Sequence, residues 1–108
     1  MMKIRTSREG KVAQIALAGR MEAESREQLQ TAGDQLIGEG ATHIAVDLSG
    51  LTYISSAGIG VLVRLSSLLR EKGGEVALCG ASGVVLTVLQ ITRVITLFQM
   101  RDDTAGWP

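Results

Sequence analysis

The chain has 108 residues, eleven basic against eleven acidic, and a hydrophobic fraction of 45%. That is one ordinary domain with enough apolar matter for a packed core, so intrinsic disorder is excluded. The charge balance gives no ground for a nucleic-acid binder or a polybasic membrane anchor.

Residues 3–7 and 11–18 predict two strands joined by a turn at Arg8-Glu9-Gly10. Residues 23–38 predict a helix, with Ser25 as a candidate cap and Leu29, Ala32, Gly33, Leu36 and Ile37 as its apolar stripe. Residues 43–48 form a short continuous apolar run, as expected of a strand inside a sheet. A short loop then leads to a second helix, from about Ser56 to Lys72, stopped by Gly73-Gly74. Residues 75–79 predict another strand, Ser82 a cap for a third helix through about Ile91, and Ile95 to Phe98 a last short strand. From about residue 100 to Pro108 the chain is polar, and a loosely ordered tail is expected there, with Trp107 outside the core. The order is β-β-α-β-α-β-α-β. It predicts an α/β fold spanning 1–108 as one domain, a mixed and mostly parallel sheet with helices packed on it.

Ser55 and Ser56 stand where the second helix begins. Backbone N–H groups are unpaired there and the helix dipole favours negative charge. Either serine can serve as an N-cap, satisfying one free N–H for about 1 kcal/mol. Either could also carry a phosphate, which the helix end would accommodate. The two roles can be divided, with Ser55 capping and Ser56 facing outward.

Along that helix, Ile59, Leu62, Val63 and Leu69 project to one side, and Gly60, Arg64, Ser67 and Glu71 to the other. Val61, Leu65 and Leu68 widen the apolar arc. Either the helix is wedged between the sheet and a neighbouring helix, or this edge is partly exposed and receives a partner. Gly60, one turn into the helix, costs about 1 kcal/mol relative to alanine, and close approach of another backbone would account for it.

Other chemistry fails on counting. Gly-x-Ser-x-Gly is absent, and so is a Gly-Lys-Ser/Thr phosphate loop. Gly58-Ile59-Gly60-Val61-Leu62-Val63 has a valine at the third position of a dinucleotide fingerprint. The one histidine, His43, and the one cysteine, Cys79, are far apart in sequence and make a poor zinc site. No enzyme, cofactor or metal is expected. Cys79 lies in an apolar run and reads as a buried core residue with no disulfide partner. With neither a signal peptide nor a run of membrane-spanning length, the expected location is the cytoplasm and no membrane partner is expected.

Asp47-Leu48-Ser49, Tyr53-Ile54 and Ser55-Ser56-Ala57-Gly58-Ile59-Gly60, together with the element order and Leu97-Phe98 near the end, resemble a STAS domain of the bacterial anti-sigma factor antagonists. The resemblance implies that Ser56 is phosphorylated by an anti-sigma factor that is itself a serine kinase, with Ser55 as the alternative. The unphosphorylated module would bind that kinase and free a sigma factor, and a metal-dependent phosphatase would reset the cycle. Around the acceptor, the partner-binding surface is expected to include Glu22, Asp47, Ser55, Ser56 and Ala57. It is also expected to take in Gly58, Gly60, Val61, Arg64 and Leu65 along the helix. The protein itself is expected to be a monomer or weak dimer.

Three positions depart from the family pattern. Ser55 replaces the usual Asp, Glu22 stands where an Asp commonly follows the second strand, and residues 102–106 do not continue into the fourth helix common in the family. Two further functions stay in view: a partner-switching module with an output such as secretion or motility, and a constitutive scaffold in which Ser56 is not phosphorylated.

Overall fold

The computed structural model describes residues 1–108. Gly10, in the left-handed region at φ +63, turns the chain between β1 (Met2–Glu9) and β2 (Val12–Met21), which pair antiparallel. The later strands, β3 (His43–Ile54), β4 (Glu75–Cys79) and β5 (Gln99–Arg101), run parallel to β2, and the sheet order is β1-β2-β3-β4-β5. The connections are α1 (Arg26–Gly38), α2 (Ser56–Glu71) and α3 (Gly83–Ile91). The mixed, mostly parallel sheet and the element order agree with the sequence.

Alternation along the strands sends Ile15, Ile44, Val46, Val76 and Leu78 into a core of 23 buried residues, to which all three helices contribute. The heart of the helical layer is α2, with seven buried residues. Gly33 lets α1 approach it closely, because a Cβ there would lie 2.6 Å from Leu65 Cδ2. No helix is long and apolar enough to cross a membrane.

Several expectations need correction. The strand expected at 43–48 continues to Ile54, twelve residues in all, because β2 also runs on to Met21 and supplies a partner. Ser49 and Gly50 look like loop residues, yet Gly50 lets β2 come close: a Cβ there would sit 2.9 Å from the Leu17 carbonyl oxygen. Register shifts between Ala16 and Ala18 and between Gly19 and Arg20 absorb the mismatch.

Ser25 occupies the N-cap position of α1 but is buried and makes no cap bond, since a 3-10 turn at Ala23–Ser25 precedes it. Ser82 likewise caps only through its carbonyl, which accepts from the Leu86 N–H at 3.3 Å. The strand expected at 95–98 is a 3-10 turn, Val94–Leu97, entered through a left-handed Arg93. An apolar run of that length fits a helical turn as well as a strand, and the pairing segment is displaced to 99–101.

The C-terminal residues lie against the sheet face that the core does not occupy. Ala45, Ala77 and Cys79 form a small cluster there, and Trp107 packs on it. The indole Nε1 donates to Gln99 Oε1 at 2.6 Å, and the ring lies edge-on to His43 at 5.8 Å. Arg101 donates to the carbonyls of Asp103 and Ala105, at 3.3 and 2.7 Å. Burial pushes the Cys79 thiol up, and the Asp47 charge adds to this, so the sulfur stays protonated and unreactive at neutral pH. Trp107→Ala is expected to cost about 1–3 kcal/mol, below the range for a fully buried tryptophan. It should also accelerate alkylation of Cys79 in the native protein. A thermal melt and a thiol-reagent time course check this, and equal rates in both proteins would mean that the indole does not cover the sulfur.

Candidate functional site

Parallel pairing aligns the C-terminal ends of β2 and β3, with Met21 opposite Ile54. The Ser55 N–H donates to the Met21 carbonyl at 2.8 Å, so Glu22 and Ser55 leave the sheet side by side. Ser55 is extended (φ −89, ψ 162), and its Oγ accepts from the Gly58 N–H at 3.2 Å. Its carbonyl accepts from the Ile59 N–H at 3.0 Å, opening the helical ladder. Ser55 is therefore the cap of α2.

Ser56, the first helical residue, is exposed, while Ser55 and Ala57 are half-buried. No acidic residue lies in this first turn. The two hydroxyls are thus inequivalent: one is committed to the backbone, the other offered to solvent.

Gly58 is buried, and a Cβ there would collide with the Met21 thioether. It holds the start of α2 down on β2. Gly60 is exposed and no atom lies within 4 Å of its Cβ position, so no part of this chain explains it. Its bare backbone stays open to a visitor.

Arg64, one turn further, is exposed and pairs with Asp34 of α1 at 2.8 and 3.4 Å. Glu22 accepts from Arg20 Nε at 2.9 Å, and that bond in particular holds its carboxyl below the usual carboxylate range. Arg20 also stacks 4.4 Å from the centroid of the Tyr53 ring. The sequence reading missed Arg20. Its signal was the register, because Arg20 falls opposite Tyr53 once both strands are extended.

Of the expected partner residues, Gly58 is buried against Met21 and three more lie elsewhere. Val61 and Leu65 are 5% and 0% exposed, as the wedged helix requires, and Leu68 of the same edge is half-buried. Asp47 lies on the face bearing Ala45 and Cys79, accepts from the Ser49 N–H at 2.9 Å, and is separated from the serines by the outer half of β3. The structure therefore gathers Glu22, Ser55, Ser56, Ala57, Gly60 and Arg64 from the start of α2 along its exposed side and around its base.

The family model described as Mlab, STAS domain matches residues 4–99. A Bordetella bronchiseptica protein named as a candidate anti-sigma factor antagonist, BtrV, is 30% identical over 87 residues, spanning 81% of this chain and 75% of its own. An anti-sigma factor antagonist (STAS) domain protein from Planctomyces limnophilus superposes with a TM-score of 0.79 at 28% identity, covering 94% of this chain and 90% of that one. The Bacillus cell fate determinant SpoIIAA in its phosphorylated form shares the fold, with a TM-score of 0.73 at 18% identity over 91% of this chain and 90% of its own.

Proposed function

Because the chain belongs to the STAS domain family, we propose that it is an anti-sigma factor antagonist switched by phosphorylation of Ser56. The unphosphorylated form binds an anti-sigma factor that is a serine kinase and so releases a sigma factor. Phosphate on Ser56 ends that binding, and a metal-dependent serine phosphatase restores it. The protein contributes no catalysis of its own and acts in the cytoplasm.

The observation that carries this reading is the division of labour between the two serines. A kinase needs a hydroxyl that can enter its active site without unfolding its substrate. Ser56 is exposed on the first turn of a helix whose cap is supplied by another residue. Phosphorylation adds about −1.5 to −2 charges and three acceptor oxygens. At a helix N-terminus an anion is stabilised by about 0.3–1 kcal/mol, so the module keeps its fold. The cost falls on the docked partner, which must desolvate the phosphate or meet it with an acidic surface. The switch works by exclusion.

The test is phosphorylation by the cognate anti-sigma kinase with MgATP, read by peptide mass spectrometry. Phosphate is expected on Ser56 and is lost in Ser56→Ala. Ser55→Ala is expected to remain a substrate while losing about 1 kcal/mol of stability with its cap. Phosphate on Ser55 would exchange the two roles, and no phosphate at all would leave a constitutive scaffold.

A further inference from the structure

The first strand leaves one side of its backbone unsatisfied. Alternate residues of a strand turn their N–H and carbonyl groups to opposite neighbours. On β2, the Lys11 carbonyl accepts from the His43 N–H at 3.1 Å and the Met21 carbonyl from the Ser55 N–H at 2.8 Å, so odd-numbered residues bond toward β3. Its even-numbered residues therefore bond toward β1, where they stand opposite Lys3, Arg5, Ser7 and Glu9. The Met1 carbonyl, accepting from the Arg20 N–H at 3.1 Å, keeps the same alternation. Ile4, Thr6 and Arg8 are left with N–H and carbonyl groups pointing out of the sheet. No turn, loop or side-chain hydrogen bond of the chain reaches their backbone, and every residue from Arg5 to Glu9 is exposed. Such an edge is satisfied by water or by another strand.

The backbone asks for a strand, and the side chains say whose. Lys3, Arg5, Ser7 and Glu9 share the sheet face away from the core, and none of the three charged residues joins an intramolecular ion pair. Turning β1 end for end about Thr6 sets Lys3 opposite Glu9 on both sides of the centre. Arg5 then falls opposite Ser7 and diagonal to Glu9, within reach of its long side chain. The neighbouring registers fail. Centring on Ile4 sets Lys3 against Arg5, centring on Arg5 sets that residue against its own copy, and centring on Ser7 aligns residues 5–9 alone. On the core side, Arg8 is already paired with Glu39 at 3.2 Å. Beneath it, Thr6, Ala32 and Leu36 line a hollow between β1 and α1. The half-buried Ile4 of a second copy would fall opposite Arg8, at the mouth of that hollow.

We propose that β1 is a self-association edge, pairing antiparallel with the β1 of a second copy about a two-fold axis midway between the two Thr6 residues. Each residue then meets its counterpart reversed, as an isologous contact requires, and two five-stranded sheets join into one. Ile4, Thr6 and Arg8 of the two copies exchange about six backbone hydrogen bonds. The ladder stops at Gly10, whose carbonyl already accepts from the Arg8 guanidinium at 2.8 Å. The zero formal net charge of the chain leaves no long-range repulsion between copies. One strand edge falls short of the about 800 Å² per partner of a standard stable interface, so the dimer is weak.

Sedimentation equilibrium of the full chain from about 10 µM to about 1 mM tests this. A reversible monomer–dimer isotherm is expected, weakening as salt screens the Lys3–Glu9 pairs. Glu9→Lys should weaken association about tenfold, and adding Lys3→Glu should restore it. Both side chains are exposed, so the circular dichroism spectrum should not change. Thr6→Cys gives a second readout, because directly opposed, hydrogen-bonded residues lie at a Cα separation that a disulfide spans. At about 1 mM it should oxidise to a covalent dimer, and adding Glu9→Lys should prevent this. The native Cys79 is buried and takes no part. A monomer at every concentration overturns the proposal, as does a dimer indifferent to Glu9→Lys or one in which Thr6→Cys stays reduced. If the wild type is monomeric and Glu9→Lys loses only its anti-sigma partner, the edge belongs to that partner and self-pairing is rejected.

Discussion

Leu65→Ala is expected to lower stability by about 2–5 kcal/mol, a large share of the about 5–15 kcal/mol available to a domain of this size. Leu65 is fully buried, and its methyl groups fill the space that Gly33 leaves on α1: a Cβ at Gly33 would lie 2.6 and 2.8 Å from them. Truncation removes their contacts with both helices and leaves a cavity where α1 and α2 come closest. Urea denaturation gives the magnitude. A second measurement isolates the pair. Gly33→Ala in the wild type forces a methyl against Leu65, so it should cost more there than in the Leu65→Ala background, where the methyl has room. Additive effects would mean that Leu65 does not fill the α1–α2 contact. An unchanged urea midpoint with lost partner binding would return Leu65 to the docking surface.

Ser56→Glu should do the opposite: leave the fold intact and lose the partner. A carboxylate on the first turn of α2 faces unpaired N–H groups, so the change in stability is expected to stay within about 1 kcal/mol and to be favourable in sign. Binding to the unmodified anti-sigma partner should fall about 100-fold, equivalent to about 2.7 kcal/mol. Ser56→Ala should bind like the wild type, because the Ser55 Oγ, and not that of Ser56, caps the helix. Titration calorimetry with paired thermal melts separates the two effects. Equal affinity for the Glu and wild-type proteins would rule out exclusion by charge at this position. A matching loss in the Ala variant would point to a direct contact made by the hydroxyl.

The outlines of α2 were readable because a cap, a helical apolar period and a double-glycine stop coincide in one stretch. The same local chemistry allowed Ser55 to cap and Ser56 to face outward, as they do, whereas Ser56 as phosphoacceptor came from the family resemblance. What escaped the sequence was set by neighbours distant along the chain. Whether Val61 and Leu65 lie inside or outside depends on α1 docking through Gly33, which no period within α2 records. The length of β3 depends on β2 extending to Met21 and on Gly50 yielding space. Asp47 looked close to the site because it is near in sequence, but alternation along β3 puts it on the opposite face from Val46 and Leu48. The polar composition of residues 100–108 does not record that Trp107 packs on Ala45 and Ala77, 62 and 30 residues upstream.

The sheet order β1-β2-β3-β4-β5 makes every strand the neighbour of the one before it. Such a chain has a thin margin and a thick middle. At one margin, β5 is held by three pairings, while β3 is flanked along its first five residues by strands on both sides and is followed directly by α2 with its seven buried residues. Amide hydrogens should therefore exchange first at 99–101 and the residues that follow them, and last in the inner half of β3 and in α2. Transient openings that shed the margin leave the serines in place. A kinase acting on Ser56 as proposed would thus meet it in one fixed setting even while the far edge of the molecule frays.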